Sequence, residues 1–139
     1  MKNQEIDGII AAALKEDMPN GDVTSDNVIP QDSTSDAVLL AKEAGILSGL
    51  PVAERVFSML DPQIQFTAFL KDGDVLVRGD KIASVQGNSI VLLKGERTAL
   101  NFLQRMSGIA TLTRQYVNAI QGTGTRLLDT RKTTPGLRI

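Results

Sequence analysis

Apolar residues change their spacing twice along the chain, and this change restricts the fold more than any other feature. They recur at intervals of three and four residues from about Asn3 to Lys15, and again in a segment that begins at Gly49-Leu50-Pro51, as on one face of an amphipathic helix. From Ile64 they alternate with polar or small residues, as strands do, and helical spacing returns from about Gly95 to Gln121. The apolar residues of this last segment are expected in the core, among them Leu103, Tyr116 and Val117. This order predicts an α+β fold in which helices flank a strand-rich middle.

Turn signals inside the strand-rich middle predict how its strands are connected. Residues 37–47 read as a strand pair or a bent strand, and further strands extend from Ile64 to Leu93. Asp72-Gly73, Arg78-Gly79-Asp80 and Gly87-Asn88 separate apolar runs and favour hairpins, so that Ser89–Leu93 becomes another strand. Because hairpins join antiparallel neighbours, we expect a largely antiparallel sheet.

Composition excludes several kinds of chemistry and partner. The 139 residues suit one domain with a real core, and 15 Lys and Arg nearly balance 16 Asp and Glu, so no overall field attracts nucleic acid or anionic membrane. Histidine and cysteine are absent, which excludes disulfides, thiolate–metal sites and a histidine base from these residues. With no hydrophobic signal region and no apolar run near the roughly 20 residues of a membrane span, we expect a cytoplasmic protein.

The segment Asp129–Ile139 is typical of the edge of an anion-binding site. Leu127 and Leu128 give a short apolar strand, after which Thr130, Arg131 and Lys132, with two further threonines, supply cations and hydroxyls. Arginine matches a carboxylate or phosphate with two parallel donors, and ligands of α/β proteins commonly bind where strands end. A merely solvated basic strand end is an equally good interpretation of composition alone. Since this strand would follow a long helix, we expect it to begin a second unit, which divides the chain into 1–122 and 123–139.

Two other polar groups have both a functional and a structural interpretation. Arg97 lies at the predicted start of the long helix, where the helix dipole favours anions, but composition alone favours the simpler interpretation, in which it pairs with Glu96 or faces water. The acidic stretch that contains Glu16, Asp17 and Asp22 has the composition of a divalent-metal site. Capping of helix ends and turns is the commoner role of such residues, and we prefer it.

Two long motifs resemble those of a known family. The segments 95–113 and 129–138, GERTALNFLQRMSGIATLT and DTRKTTPGLR, are similar to those of quinolinate phosphoribosyltransferase, the carboxylating nicotinate-nucleotide pyrophosphorylase. Residues 16–25 and 45–51 also fit the amino-terminal region of that family. The resemblance extends over essentially all of these residues and corresponds to the first half of the family's usual length.

The resemblance implies a fold, a reaction and a set of site residues. An amino-terminal α/β sandwich domain would lead into the first strand of an open α/β barrel. The enzyme would convert quinolinate and 5-phosphoribosyl 1-pyrophosphate into nicotinate mononucleotide, pyrophosphate and CO2 in NAD biosynthesis. Thr130, Arg131 and Lys132 would bind substrate, and Arg97 would cross to the partner subunit of a homodimer. Their cations suit a pyridine dicarboxylate and the negative charge that loss of CO2 leaves on its ring.

The resemblance also implies what these 139 residues lack. The other site residues of the family, including those near Mg²⁺ and the ribose pyrophosphate, follow the position that matches Ile139. No complete catalytic set is therefore expected here, and the 139-residue polypeptide should be inactive alone and bind no cofactor. The alternatives are a paralogue of the same family associated with molybdate transport, or a non-catalytic dimerisation or assembly module.

Overall fold

A computed structural model describes residues 3–19, 21 and 28–138, and three helices and five strands lie wholly within these residues. The helices are α1 (Asn3–Asp17), α2 (Leu50–Leu60) and α3 (Ser89–Ala119), and the strands are β1 (Thr34–Leu40), β2 (Gly45–Ile46), β3 (Gln65–Ala68), β4 (Val75–Leu76) and β5 (Lys81–Asn88). This arrangement confirms the α+β class. The helices predicted from about Asn3 and from Gly49-Leu50-Pro51 are both present.

Every strand pair in the described residues is antiparallel, as predicted, but the predicted hairpins are wrong. One sheet has the order β1-β5-β3 and a second pairs β2 with β4, so no strand is bonded to its immediate neighbour in sequence. The turn at 71–74 does form, since the Asp74 carboxylate accepts the N–H of Lys71 at 2.9 Å. However, the Gly73 N–H donates to Leu47 O at 2.8 Å, which directs the chain into the other sheet. Turn residues set where the chain reverses, whereas long-range contacts choose the partner strand.

The segment Ser89–Leu93, predicted as a strand, is instead the first turn of α3. The side chain of Asn88 caps this helix, because its Oδ1 accepts the N–H groups of Ile90 at 3.0 Å and Val91 at 3.2 Å. The spacing of a short apolar run does not show whether the run is a buried helix or a strand. Here the Asn88 cap selects the helix. The helix then continues through Gly108 without a break.

The core lies where α1, α2 and α3 meet the sheet. Ile10, Leu47, Val56 and Val85 are its largest fully buried side chains. Helix α2 and helix α3 approach closely at Gly95, where a Cβ would lie 2.7 Å from ring carbons of Phe57. This close packing fixes the beginning of α3, which carries Arg97, against the rest of the domain.

Alanine at the two glycines of α3 should have opposite effects on stability. Gly108→Ala should raise the free energy of unfolding by about 1 kcal/mol, because glycine is the poorer helix former and nothing lies within 4 Å of the added methyl. Gly95→Ala should lower it by about 1–3 kcal/mol, because the methyl would overlap Phe57. Urea denaturation of the three proteins measures both changes. Equal effects at the two positions would contradict the described packing of α3.

The ion pair between Asp7 and Arg55 joins α1 to α2 and should make stability depend on pH. Arg55 donates from Nε to Oδ1 at 2.7 Å and from Nη2 to Oδ2 at 2.8 Å, and this hydrogen bonding holds the pKa of Asp7 below its ordinary value of 3.8. Since the folded pKa is the lower one, the stabilisation is fully present above about pH 4 and disappears as pH falls through the folded pKa. Asp7→Asn should therefore lower the thermal midpoint at pH 7, and the difference from wild type should shrink towards pH 2.

A matched variant controls for the loss of one negative charge. Asp32 is exposed, and Asp32→Asn should leave the midpoint nearly unchanged at both pH values. A deficit of Asp7→Asn that is as large at pH 2 as at pH 7 would contradict a role for the ion pair.

Candidate functional site

The predicted anion-binding segment folds back onto the helices and lines a cleft of about 540 Å³. Thr130, Lys132, Thr133 and Thr134 form one wall of this cleft, and apolar residues of α1, α2 and α3 form the other. We call it the terminal cleft; its other lining residues are Ile6, Ile9, Ile10, Val52, Phe102, Arg105, Met106, Ile109 and Leu137. Residues 121–138 contain no strand, so the strand predicted at Leu127–Leu128 does not form. A single extended segment lacks hydrogen-bond partners, and the described residues provide no neighbouring strand for it.

Hydrogen bonds give this segment its shape. The hydroxyl of Thr130 accepts the N–H of Lys132 at 3.3 Å, and Arg138 donates both to the hydroxyl of Thr133 and to the carbonyl of Arg131. Arg105, on α3, donates from Nη2 to the hydroxyl of Thr134 at 2.7 Å. The structure thus brings Thr130 and Lys132 to one cleft, whereas Arg131 is exposed and does not line it.

Arg105 and Arg138 are structural contributors that the sequence interpretation did not single out. Arg105 and Arg138 each lie inside one of the two motifs that carry the family resemblance. That position is the sequence feature from which their contribution could have been predicted. Their N–H groups donate to threonine hydroxyls, and Arg105 adds a cation to the lining of the terminal cleft. A wall of apolar side chains opposite lysine, arginine and hydroxyl groups suits a small ligand with a flat apolar body and acidic substituents.

Arg97 lies apart from this cleft, on an exposed part of α3. Its Nε and Nη2 both lie 3.1 Å from Oδ2 of Asp17, so its partner in the described residues is Asp17 and not Glu96. Because α3 begins at Ser89, Arg97 lies beyond the first turn, where the helix dipole no longer contributes much. The predicted helix-terminus argument for anion binding at Arg97 is therefore wrong. Its side chain is 64% exposed, which leaves it accessible to a ligand or to another chain.

The acidic stretch that could have formed a metal site is only partly described. Asp22 lies outside the described residues, and Asp17 pairs with Arg97 instead of capping a turn. Among residues 3–19, 21 and 28–138, no group of three or more acidic side chains is placed to hold a metal ion. The donors in this part of the chain thus do not fit a magnesium site.

The carboxy-terminal half of α3 presents an apolar surface that the sequence assigned to the core. Tyr116 and Val117 were predicted to be buried, but they are 57% and 42% exposed, and Ile109 and Leu112 are also exposed. Leu103, nearer the start of the helix, is buried as predicted. An exposed apolar patch of this kind commonly marks a protein interface. None of the helices in the described residues has the length and apolar character needed to cross a membrane.

Comparison with solved structures places this fold in a defined class. The crystal structure of NadC from Streptococcus pyogenes superimposes with a TM-score of 0.91 at 41% identity, and the match covers 97% of this chain and 49% of that chain. The α+β fold with its antiparallel sheet is therefore the amino-terminal fold of NadC proteins. No closed barrel is present in the described residues.

Sequence comparison identifies the family. Residues 22–107 match the model of the quinolinate phosphoribosyl transferase N-terminal domain, and residues 109–139 match that of the C-terminal domain. A mitochondrial quinolinate phosphoribosyltransferase of Nicotiana tabacum is 46% identical over 97% of this chain, and a probable nicotinate-nucleotide pyrophosphorylase of Bacillus subtilis is 40% identical over 100%. The chain belongs to the quinolinate phosphoribosyltransferase family. It spans 38% and 48% of the length of these two relatives.

Proposed function

We propose that these residues form the amino-terminal part of an enzyme that transfers a phosphoribosyl group to quinolinate and releases CO2. The observation that carries this proposal is the terminal cleft, in which Lys132 and threonine hydroxyls of the family motif face an apolar wall. The names of the relatives described above favour quinolinate over the substrate of the molybdate-associated paralogue. We call the longer protein, in which the chain continues into the barrel, the complete enzyme.

In this proposal, Arg131 and Lys132 bind the two adjacent carboxylates of quinolinate. The guanidinium of Arg131 matches one carboxylate with two parallel donors, and the ammonium of Lys132 adds a compact charge. The hydroxyl of Thr130 forms a hydrogen bond with the substrate. The same hydroxyl accepts the N–H of Lys132 and so fixes the backbone turn at that residue. When CO2 leaves, the bonding electron pair remains on the ring carbon, and these cations stabilise the negative charge until a proton replaces CO2.

Arg97 contributes to this site from the partner subunit of a homodimer. Two features support the assignment: Arg97 is exposed and lines no part of its own terminal cleft, and α3 presents an apolar surface suited to an interface. Assembly of two copies would cover that surface and add Arg97 to the cations that Arg131 and Lys132 supply.

Mg²⁺ would belong to the complete enzyme, with ligands that these residues do not supply. The described part of the chain has no acidic cluster that fits the ion, so we assign none of its side chains to the metal. The division into domains at 1–122 and 123–139 remains part of the proposal; the two family models meet inside α3, between residues 107 and 109. We propose a cytoplasmic location for this protein, although the Nicotiana tabacum relative is named mitochondrial.

The 139-residue polypeptide alone should make no nicotinate mononucleotide. The physical reason is that Thr130, Arg131 and Lys132 provide binding groups but no machinery for the departure of pyrophosphate. Chromatography of reactions that contain quinolinate, 5-phosphoribosyl 1-pyrophosphate and Mg²⁺ measures the product, and the complete enzyme serves as the positive control. Product from the purified polypeptide would contradict the proposal that these 139 residues bind substrate but do not catalyse the departure of pyrophosphate. No product from the complete enzyme would overturn the proposed reaction.

A further inference from the structure

Asp17 and Arg97 form an ion pair with unequal exposure. The Oδ2 atom of Asp17 accepts from Nε of Arg97 at 3.1 Å and lies 3.1 Å from Nη2, so one carboxylate oxygen spans one edge of the guanidinium. The side chain of Asp17 is 22% exposed, whereas that of Arg97 is 64% exposed. The anion is therefore mostly covered, and the cation extends from it into solvent.

The edge that Asp17 occupies leaves another edge of Arg97 available. A guanidinium carries five N–H donors in a rigid plane. Asp17 uses the Nε–Nη2 edge, while the Nη1–Nη2 edge retains one outward N–H on each terminal nitrogen. In the described residues, Arg97 has no partner besides Asp17. Two parallel donors of this kind match a carboxylate, which makes the open edge suitable for an acidic ligand.

Both members of the pair lie on elements that are themselves fixed. The backbone beside Arg97 is held because Gly95 packs on Phe57, and Thr98 and Ala99 are buried. Asp17 is the last residue of α1, whose Ile6 and Ile10 are in the core. A long exposed arginine side chain ordinarily loses rotamer freedom when it binds a ligand. The contact with Asp17 is present before a ligand binds, and it therefore reduces that loss of conformational entropy.

We propose that Asp17 is a positioning residue, which holds Arg97 by its Nε–Nη2 edge and leaves the Nη1–Nη2 edge for a carboxylate of the pyridine dicarboxylate substrate. This inference rests on the proposed function, in which Arg97 reaches the partner's site. Asp17 and the substrate carboxylate contact different edges, so Asp17 orients Arg97 and does not compete for it. The geometry also predicts that the pair persists when substrate is bound.

The first test measures the pair in the 139-residue chain. Nitrogen-15 NMR should show that the Nε–H of Arg97, identified by its loss in Arg97→Lys, exchanges with water more slowly than that of the exposed Arg78. Asp17→Ala should abolish this protection. Glu16→Gln removes a charge from the neighbouring exposed residue and should leave the protection intact. Equal exchange at Arg97 and Arg78 in the wild-type chain would overturn the proposal.

The second test measures quinolinate kinetics in the complete enzyme. Asp17→Ala should raise KM about fivefold, the upper range for an exposed ion pair, and leave kcat unchanged, while Glu16→Gln should change neither. In an Arg97→Ala background, Asp17→Ala should add nothing, because its effect acts through Arg97. A lower KM for Asp17→Ala would show competition instead of positioning, and an equal loss in both backgrounds would show a purely structural role. If Arg97→Ala itself left KM unchanged, the proposed function of Arg97 would fail instead.

Discussion

Alanine in place of Arg131 in the complete enzyme is expected to weaken quinolinate binding by about tenfold to a hundredfold or more. A hydrogen bond to a charged group contributes roughly 1.5–3 kcal/mol, and each 1.4 kcal/mol corresponds to about tenfold in Kd. Arg131 is exposed and does not line the terminal cleft, so alanine should leave the shape of the cleft unchanged. A loss of this size would then report a contact that Arg131 makes with substrate in the complete enzyme. Isothermal titration with quinolinate measures the change.

The conservative variant Arg131→Lys separates geometry from charge. Lysine keeps the positive charge but loses the two parallel donors, so affinity should still fall substantially. Arg126→Lys, at an exposed position before the motif, is the matched control and should bind like wild type. Wild-type affinity in Arg131→Lys would contradict two-pronged recognition and would leave only a charge effect.

Arg97→Ala should produce a loss of similar size, about tenfold to a hundredfold, although Arg97 lines no part of the terminal cleft of its own chain. The physical reason is that a third cation, supplied by the partner subunit, completes the recognition of two adjacent carboxylates. Its exposure makes an effect on folding small, and the thermal midpoint of the variant should stay near that of wild type. Unchanged quinolinate affinity would remove Arg97 from the site.

The spacing of apolar residues predicted correctly those elements in which the local sequence and the tertiary packing favour the same structure. Helix α1 and helix α2 follow from a helical apolar stripe, and α2 also from the proline in its first turn. Antiparallel pairing of the middle strands was predicted correctly. The choice of partners was not, because the sequence around Gly73 and Gly79 specifies a turn but carries no information about which distant strand is bonded next.

The errors near α3 have a common physical origin in tertiary context. The apolar run from Ile90 fits either a strand or a helix, and the Asn88 cap selects the helix, which in turn moves Arg97 beyond the first turn. Tyr116 and Val117 have the spacing of core residues but lie on a surface that nothing in the described chain covers. Spacing reports that a face is apolar and does not report what covers it.

The candidate site could be predicted in its residue types and only partly in its arrangement. Thr130 and Lys132 line one cleft, and Arg97 is elsewhere, which spacing alone could not establish. The contacts of Arg105 with Thr134 and of Arg97 with Asp17 join residues far apart in sequence, so no local pattern signals them. The roles of Arg97, Thr130, Arg131 and Lys132 in binding substrate stay predictions.

Mixed dimers of the complete enzyme test the central claim most directly. One subunit carries Arg97→Ala and the other Lys132→Ala, and quinolinate is kept below the wild-type KM so that each variant homodimer, with its weakened binding, has little activity. If Arg97 serves the neighbouring site, every mixed dimer contains one site with both lesions and one wild-type site. Random mixing in a twofold-symmetric dimer should then restore about a quarter of wild-type activity. Recovery to that level is the result we predict, and no recovery in dimers shown to be mixed would contradict the shared site.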